Sequence, residues 1–255
     1  MYMKYFLTLL IASFAVACAS NTTKTTEEVD KHQATDIEEI AEATPTYCEV
    51  VDTEELTIIY PNFSKIDLVC DEMPTQEDES VIFVAEAAYT AELLNEFKHS
   101  NIEGDHVSGG VRYKGDRCES NTGAFVYYNG TWKFCYDNYS YELDLAAENG
   151  GAGFGQEMII YNGEIKQTVR KDGQKNQFRA LCEIGGRLCI ADSNSVVTFG
   201  DFKQLLKAQN ATYAIYLDMG SPWNYAWYRT DKGIVELHKK EKNHHLCTNW
   251  ITFYK

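Results

Sequence analysis

Four turn signals constrain this chain more than anything else in it. Asn129-Gly130, Asn162-Gly163, Gly185-Gly186 and the stretch from Thr230 to Gly233 each separate two apolar runs. Asn-Gly and Gly-Gly tolerate the positive φ angles of a type I′ turn, whose twist suits paired antiparallel strands. They predict hairpins joining residues 125–128 to 131–136, 158–161 to 164–169, 179–184 to 187–191, and 225–229 to 234–238. Residues 56–60, 66–70, 81–85 and 250–254 read as further strands.

Helical signals are sparse. Residues 88–97 carry Leu93, Leu94 and Phe97 at helical spacing. Thr198 is a good N-cap for a helix reaching Gln209, with Phe202, Leu205 and Leu206 turned inward and Asn210 as its stop. Residues 187–218 then read strand, helix, strand, which ordinarily gives a right-handed crossover between parallel strands. The expected fold is α+β, a mixed β-sheet with several hairpins, few helices and one such crossover.

The ends read differently. Lys4, an apolar run over 6–16 and small residues before Cys18 have the form of an export signal, too short to span a bilayer. A cysteine in that place predicts a lipoprotein: residues 1–17 removed, Cys18 acylated, and the protein lipid-anchored to a bacterial membrane in the cell envelope. Residues 18–46 are acidic, threonine-rich and poor in large apolar groups, as expected of a tether. Residues 47–255 suit one domain.

The formal charge of −15 opposes nucleic acid as a partner. Of eight cysteines, seven remain once Cys18 is set apart. Cys118 with Cys135 is a candidate disulfide across a hairpin, and the others fall in apolar runs that suggest buried thiols. No C-x-x-C or H-x-x-x-H spacing occurs, so no metal site is expected. The sequence names no cofactor.

One apolar run, from Ala214, delivers a lone carboxylate, Asp218, into Met219-Gly220-Ser221-Pro222. The end of a strand is where an open sheet places a functional group. The glycine-rich stretch from Glu148 to Gly155 reads either as a flexible turn or as a pocket wall offering N–H groups to an anion. His106 follows Asp105 in another glycine-bearing loop.

Arg179-Ala180-Leu181-Cys182, the helix from Thr198, Tyr216-Leu217-Asp218-Met219-Gly220-Ser221 and Thr248-Asn249-Trp250 form an ordered set that resembles the phosphodiester glycosidase domain. Met219 and one missing glycine depart from its Asn-Leu-Asp-Gly-Gly-Gly-Ser motif. Its Asn-Gly-Gly-Phe-Phe strand end falls here at Ala85-Glu86-Ala87-Ala88-Tyr89-Thr90. The resemblance implies hydrolysis of a sugar-1-phosphodiester or related glycan. Its implied catalytic set is Asp218 as base, nucleophile or stabiliser, Arg179 on the phosphate, and Glu86 or Glu148 as second carboxylate. Ser221, Gly220, His106, Asn149, Gln156 and Asn249 are the candidates to hold substrate. The departures favour a second reading, a non-catalytic glycan- or envelope-binding lipoprotein on the same fold. Trp223, Tyr225 and Trp227 alternate after the turn, some for the core and some to stack on a sugar.

Overall fold

The computed structural model describes residues 46–94, 96–115, 118–220 and 223–255. The expected signal, Cys18 and nearly all of the expected tether lie outside the described residues, as does Ser221. In chain order the strands are β1 (Cys48–Asp52), β2 (Leu56–Pro61), β3 (Lys65–Cys70), β4 (Val81–Glu86), β5 (His106–Ser108), β6 (Val111–Tyr113), β7 (Gly123–Tyr128) and β8 (Thr131–Tyr136). They continue as β9 (Ala152–Gln156), β10 (Met158–Tyr161), β11 (Glu164–Ile165), β12 (Lys175–Asn176), β13 (Arg179–Ile184) and β14 (Arg187–Ser193). The last are β15 (Val197–Thr198), β16 (Ala211–Leu217), β17 (Ala226–Thr230), β18 (Gly233–Leu237) and β19 (Asn249–Tyr254). Two α-helices accompany them, α1 (Ser140–Glu148) and α2 (Phe199–Ala208). Among the described residues no helix is long and apolar enough to cross a membrane.

The expectation of an α+β mixed sheet is overturned: the fold is mostly β. Its sheets run β1-β2-β14-β13-β16-β10-β11, β18-β17-β4-β19-β3, β6-β5-β9-β7-β8 and the small β12-β15. Every hydrogen-bonded strand pair is antiparallel. The strand–helix–strand run exists as β14, α2 and β16, but β13 lies between its two strands and pairs with both. A tight Gly185-Gly186 turn, with φ of 58° and 73°, places β13 beside β14 before the crossover forms. The two strands therefore run parallel without being neighbours.

Turn chemistry fixes the other hairpins as expected. Asn129 and Gly130 (φ 51° and 72°) join β7 to β8, and Asn162 and Gly163 (φ 54° and 74°) join β10 to β11. Helix α2 starts where Thr198 accepts a hydrogen bond from the Asp201 N–H. Residues 88–97, by contrast, form no helix where described. Their backbone is engaged elsewhere: Ala91 N–H donates to Asn101 O and Glu103 N–H to Tyr89 O, while Leu93 is 59 % exposed. The glycine-rich run is a turn over 149–150 that leads from α1 into strand β9, and the strand is buried throughout. A Cβ at Gly151, Gly153 or Gly155 would stand 2.1, 2.8 or 2.8 Å from Tyr127 O, Phe125 O or the Tyr139 hydroxyl. Close approach of neighbouring chain explains these glycines.

One core joins the three large sheets. Leu181, Ile190 and Ile215 come from the first, Phe83, Ile251 and Phe253 from the second, and Phe125 and Phe154 from the third. A second cluster packs Phe199, Phe202 and Leu206 of α2 on Ala180, Ala214 and Tyr216. Tyr225 and Trp227 are buried in a third cluster and are core rather than sugar platforms. The cysteines from Cys48 to Cys247 are all unbridged. Cys135 pairs across β7 with Ala124, and Cys118 precedes that strand, so the Cys118–Cys135 disulfide does not form.

Candidate active site

Two strands from different sheets end together. β16 stops at Leu217 and hands over Asp218; β4 stops at Glu86. The Asp218 N–H donates to Ala87 O at 3.0 Å, which ties the two strand ends. Asn249 and Gln156 fix the same corner. Asn249 Oδ1 accepts from Ala88 N–H at 2.8 Å and its Nδ2 donates to Ala88 O at 3.0 Å, while Gln156 Nε2 donates to Ala87 O at 3.2 Å. Both are fully buried, and these bonds commit them to holding backbone.

Glu86 is buried, and its Oε1 accepts from Thr248 N–H, Asn249 Nδ2 and Thr90 Oγ1 at 3.3–3.4 Å. Its Oε2 has no hydrogen-bond partner among the described residues. Burial first, and the charge of Asp218 second, hold the Glu86 carboxyl well above its ordinary proton affinity. Asp218 is 8 % exposed, and burial pushes its pKa from 3.8 to about 7, against backbone hydrogen bonding from Thr90 and the nearby charge of Arg170. Both carboxyls are thus raised in one corner of the fold, an arrangement that suits acid–base chemistry near neutrality.

The guanidinium whose charge acts on Asp218 belongs to Arg170, in the irregular connection between β11 and β12. It lies 4.5 Å from the Tyr216 ring centroid and within 6 Å of those of Tyr89, Phe178 and Phe199. Its Nη2 donates to the Tyr89 hydroxyl at 3.1 Å. Glu157 completes the group: buried, its Oε1 takes the Val169 and Arg170 N–H groups, and its Oε2 stands 4.0 Å from Arg170 Nε. Neither Glu157 Oε2 nor Arg170 Nε has a hydrogen-bond partner among the described residues. Burial raises the Glu157 carboxyl as well.

Arg179 is engaged elsewhere. It opens β13 opposite Leu217, fully buried, and its Nε donates to Asp192 Oδ2 at 2.6 Å and its Nη2 to Asn224 O at 2.9 Å. His238 Nε2 sits 2.8 Å from the other Asp192 oxygen. Glu148 and Asn149 are exposed at the end of α1. They precede β9 while Gln156 ends it, so a strand rising about 3.3 Å per residue separates them from the Ala87 corner. Gly220 N–H is taken by Asn224 Oδ1 at 2.7 Å. Trp223 Nε1 donates to Thr90 Oγ1 at 3.0 Å, laying the Asp218 turn against residue 90. His106 joins His99 and Cys70 rather than Asp218: the three offer ligand atoms within 4.8 Å of one another, a cluster that sequence spacing could not announce.

Cavities of about 480 and 210 Å³ open nearby in the fold, and neither is lined by Asp218 or Glu86. The smaller is lined by Cys247 and Thr248, and Thr248 N–H bonds Glu86. Arg170, Glu157, Thr90, Tyr89 and Tyr216 were not singled out from the sequence. Arg170 lies in a stretch with neither apolar period nor motif, and only the folded chain brings it to Asp218.

No family model matches the chain, and no curated protein matches it. Solved structures do. The catalytic domain of zebrafish N-acetylglucosamine-1-phosphodiester alpha-N-acetylglucosaminidase, auto-inhibited by its pro-peptide, aligns with a TM-score of 0.53 at 13% identity over 82% of each chain. A hypothetical protein from Synechocystis aligns with a TM-score of 0.54 at 11% identity, over 82% of this chain and 61% of that one. At such identities the likeness is one of fold: the chain has a phosphodiester glycosidase-like fold.

Proposed function

We propose that the chain is a hydrolase of a sugar-1-phosphodiester or related glycan, worked by Asp218 and Glu86 with Arg170 as the cation. The observation that carries this is the buried carboxyl pair itself, with Asp218 poised at a pKa of about 7 and one Glu86 oxygen left unbonded among the described residues. Hydrolysis breaks the bond from the anomeric carbon to the phosphate oxygen and joins that carbon to a water oxygen; it needs charge neutralised on the departing phosphate, an oxocarbenium-like centre stabilised, and a proton given to the leaving oxygen while the water loses one. Arg170 supplies the first, an ionised Asp218 the second, and the carboxyl that retains its proton the third. The fold shared with an N-acetylglucosamine-1-phosphodiester glycosidase supports that substrate class. Arg179, bonded to Asp192, serves here as a brace under the Asp218 strand rather than as the phosphate grip.

The second reading, a non-catalytic glycan- or envelope-binding protein, is favoured by one observation: Thr90 and Trp223 lie bonded together, and Thr90 also bonds Glu86. Incubation with an N-acetylglucosamine-1-phosphodiester separates the two. Sugar release that Asp218→Asn and Glu86→Gln lose, in folded protein, supports the enzyme; binding of the diester without release supports the module. Anchoring at Cys18 in the cell envelope belongs to the proposal as well. It predicts incorporation of labelled fatty acid that Cys18→Ser abolishes.

A further inference from the structure

We propose that Cys70, His99 and His106 form a binding site for one divalent transition-metal ion of the zinc class. The three arrive from separate elements: Cys70 ends β3, His99 opens a short 3-10 turn, and His106 opens β5. Their sulfur and ring nitrogens lie within 4.8 Å of one another, and His99 Nδ1 is 3.0 Å from His106 Nε2. Zinc bonds of about 2.3 Å to sulfur and about 2.0–2.1 Å to nitrogen put tetrahedral ligand atoms roughly 3.3–3.6 Å apart, so small side-chain movements close the set.

The rings face one another through a His99–His106 hydrogen bond that an ion can replace, and each is held from behind. His106 Nδ1 sits 3.2 Å from Gly104 O, so its proton is committed to that carbonyl and Nε2 turns its lone pair toward His99. A histidine ligand is ordinarily oriented in this way, by a carbonyl on its far nitrogen. The His99 ring stacks on Tyr113 with centroids 3.3 Å apart and planes at 9°, and Phe97 meets its edge. The plane of each imidazole is thus set before any ion arrives. One thiol and two imidazoles, with no carboxylate among them, select zinc-like ions over magnesium or calcium. Three protein ligands leave one position for water.

On binding, a Zn–S bond and two Zn–N bonds form. The Cys70 S–H proton leaves to solvent, His99 gives up its Nδ1 proton and takes one on Nε2, both imidazoles bind as neutral bases, and no electron moves. The ion would tie β3 of one sheet and β5 of another to the connection between β4 and β5, which carries Tyr89 and Thr90.

Cobalt(II) titration of the full chain tests this. The expected result is one equivalent bound with a thiolate-to-cobalt charge-transfer band, which zinc displaces. Loss of an outer partner costs about 10–100-fold in affinity, so loss of a ligand in Cys70→Ser or His99→Ala should cost more than about 100-fold, and Cys70→Ser should remove the band. Cys118→Ser and Cys247→Ser should keep both. The unsubstituted chain gives a second readout that no folding defect can confuse: zinc should protect Cys70 from alkylation, mapped by mass spectrometry. A band that survives Cys70→Ser, absence of a thiolate band with cobalt, or equal alkylation of Cys70 with and without zinc overturns the proposal.

Discussion

Two buried charged groups stand at the end of the same sheet, and they are finished differently. In the Arg179 group, Asp192 receives the guanidinium on one oxygen and His238 on the other, and Arg179 also reaches Asn224 O. In the Asp218 group, carboxyl oxygens of Glu86 and Glu157 and the Nε of Arg170 have no hydrogen-bond partner among the described residues. Buried charge held by complementary charge stabilises a fold once formed; buried charge left incomplete is costly and marks a place kept for a ligand. The contrast is one of degree, since Arg179 Nη1 also has no partner among the described residues. It nevertheless separates a brace from the proposed site, and each half of that distinction can be broken.

The largest effect should fall on turnover. Asp218→Asn keeps shape and removes the titrating carboxyl, so sugar release should drop about 10²–10⁴-fold in a protein with unchanged circular dichroism. Arg179→Met should act on the other side of the comparison. It leaves Asp192 buried without its guanidinium, a loss expected to cost about 3–5 kcal/mol in urea unfolding. Arg179→Met combined with Asp192→Leu should recover much of it. A double variant no better than the single one would mean that the cluster is not a structural pair.

Asp218 should also reverse the usual sign of a carboxylate's contribution. Its folded pKa lies above the unfolded value, near 7 against 3.8, so the folded state holds the proton more tightly. Stability from this group is intact below pH 4 and is lost as pH rises toward and through 7, by about 4 kcal/mol in full. Asp218→Asn should therefore be more stable than the parent at pH 8 and nearly equal to it at pH 4, measured by denaturant melts at both. Glu86, raised by the same burial, works in the same direction. The smallest effect is a control away from both groups: Thr198→Ala removes the α2 cap and should cost about 1 kcal/mol without changing the pH profile.

The strands were legible because local chemistry dictates them. Asn162 and Gly163 accept the turn whatever surrounds them, and Thr198 caps α2 from within its own segment. The separation of the two parallel strands was not legible, because β13 enters between β14 and β16 and pairs with both. Residues 88–97 have a helical apolar spacing, yet the backbone of Ala91 and Tyr89 is bonded to Asn101 and Glu103 instead of along a helix. Long-range pairing outweighs local propensity there. Asp218 and Glu86 could be found because each ends an apolar strand. Arg170, Glu157 and the Cys70–His99–His106 cluster could not, since each depends on segments brought together only by the sheets. Glu148 and Asn149 lie at the exposed end of α1, and the glycines after them serve a turn and the close packing of β9 instead of a pocket wall.

Titration of Asp218 near neutral pH is what the proposed site depends on, and carboxyl-carbon NMR of aspartate-labelled protein measures it directly. With Asp218 identified by the resonance missing from Asp218→Asn, the account predicts a midpoint near 7. A midpoint near 4, the range of an unperturbed aspartate, would contradict it.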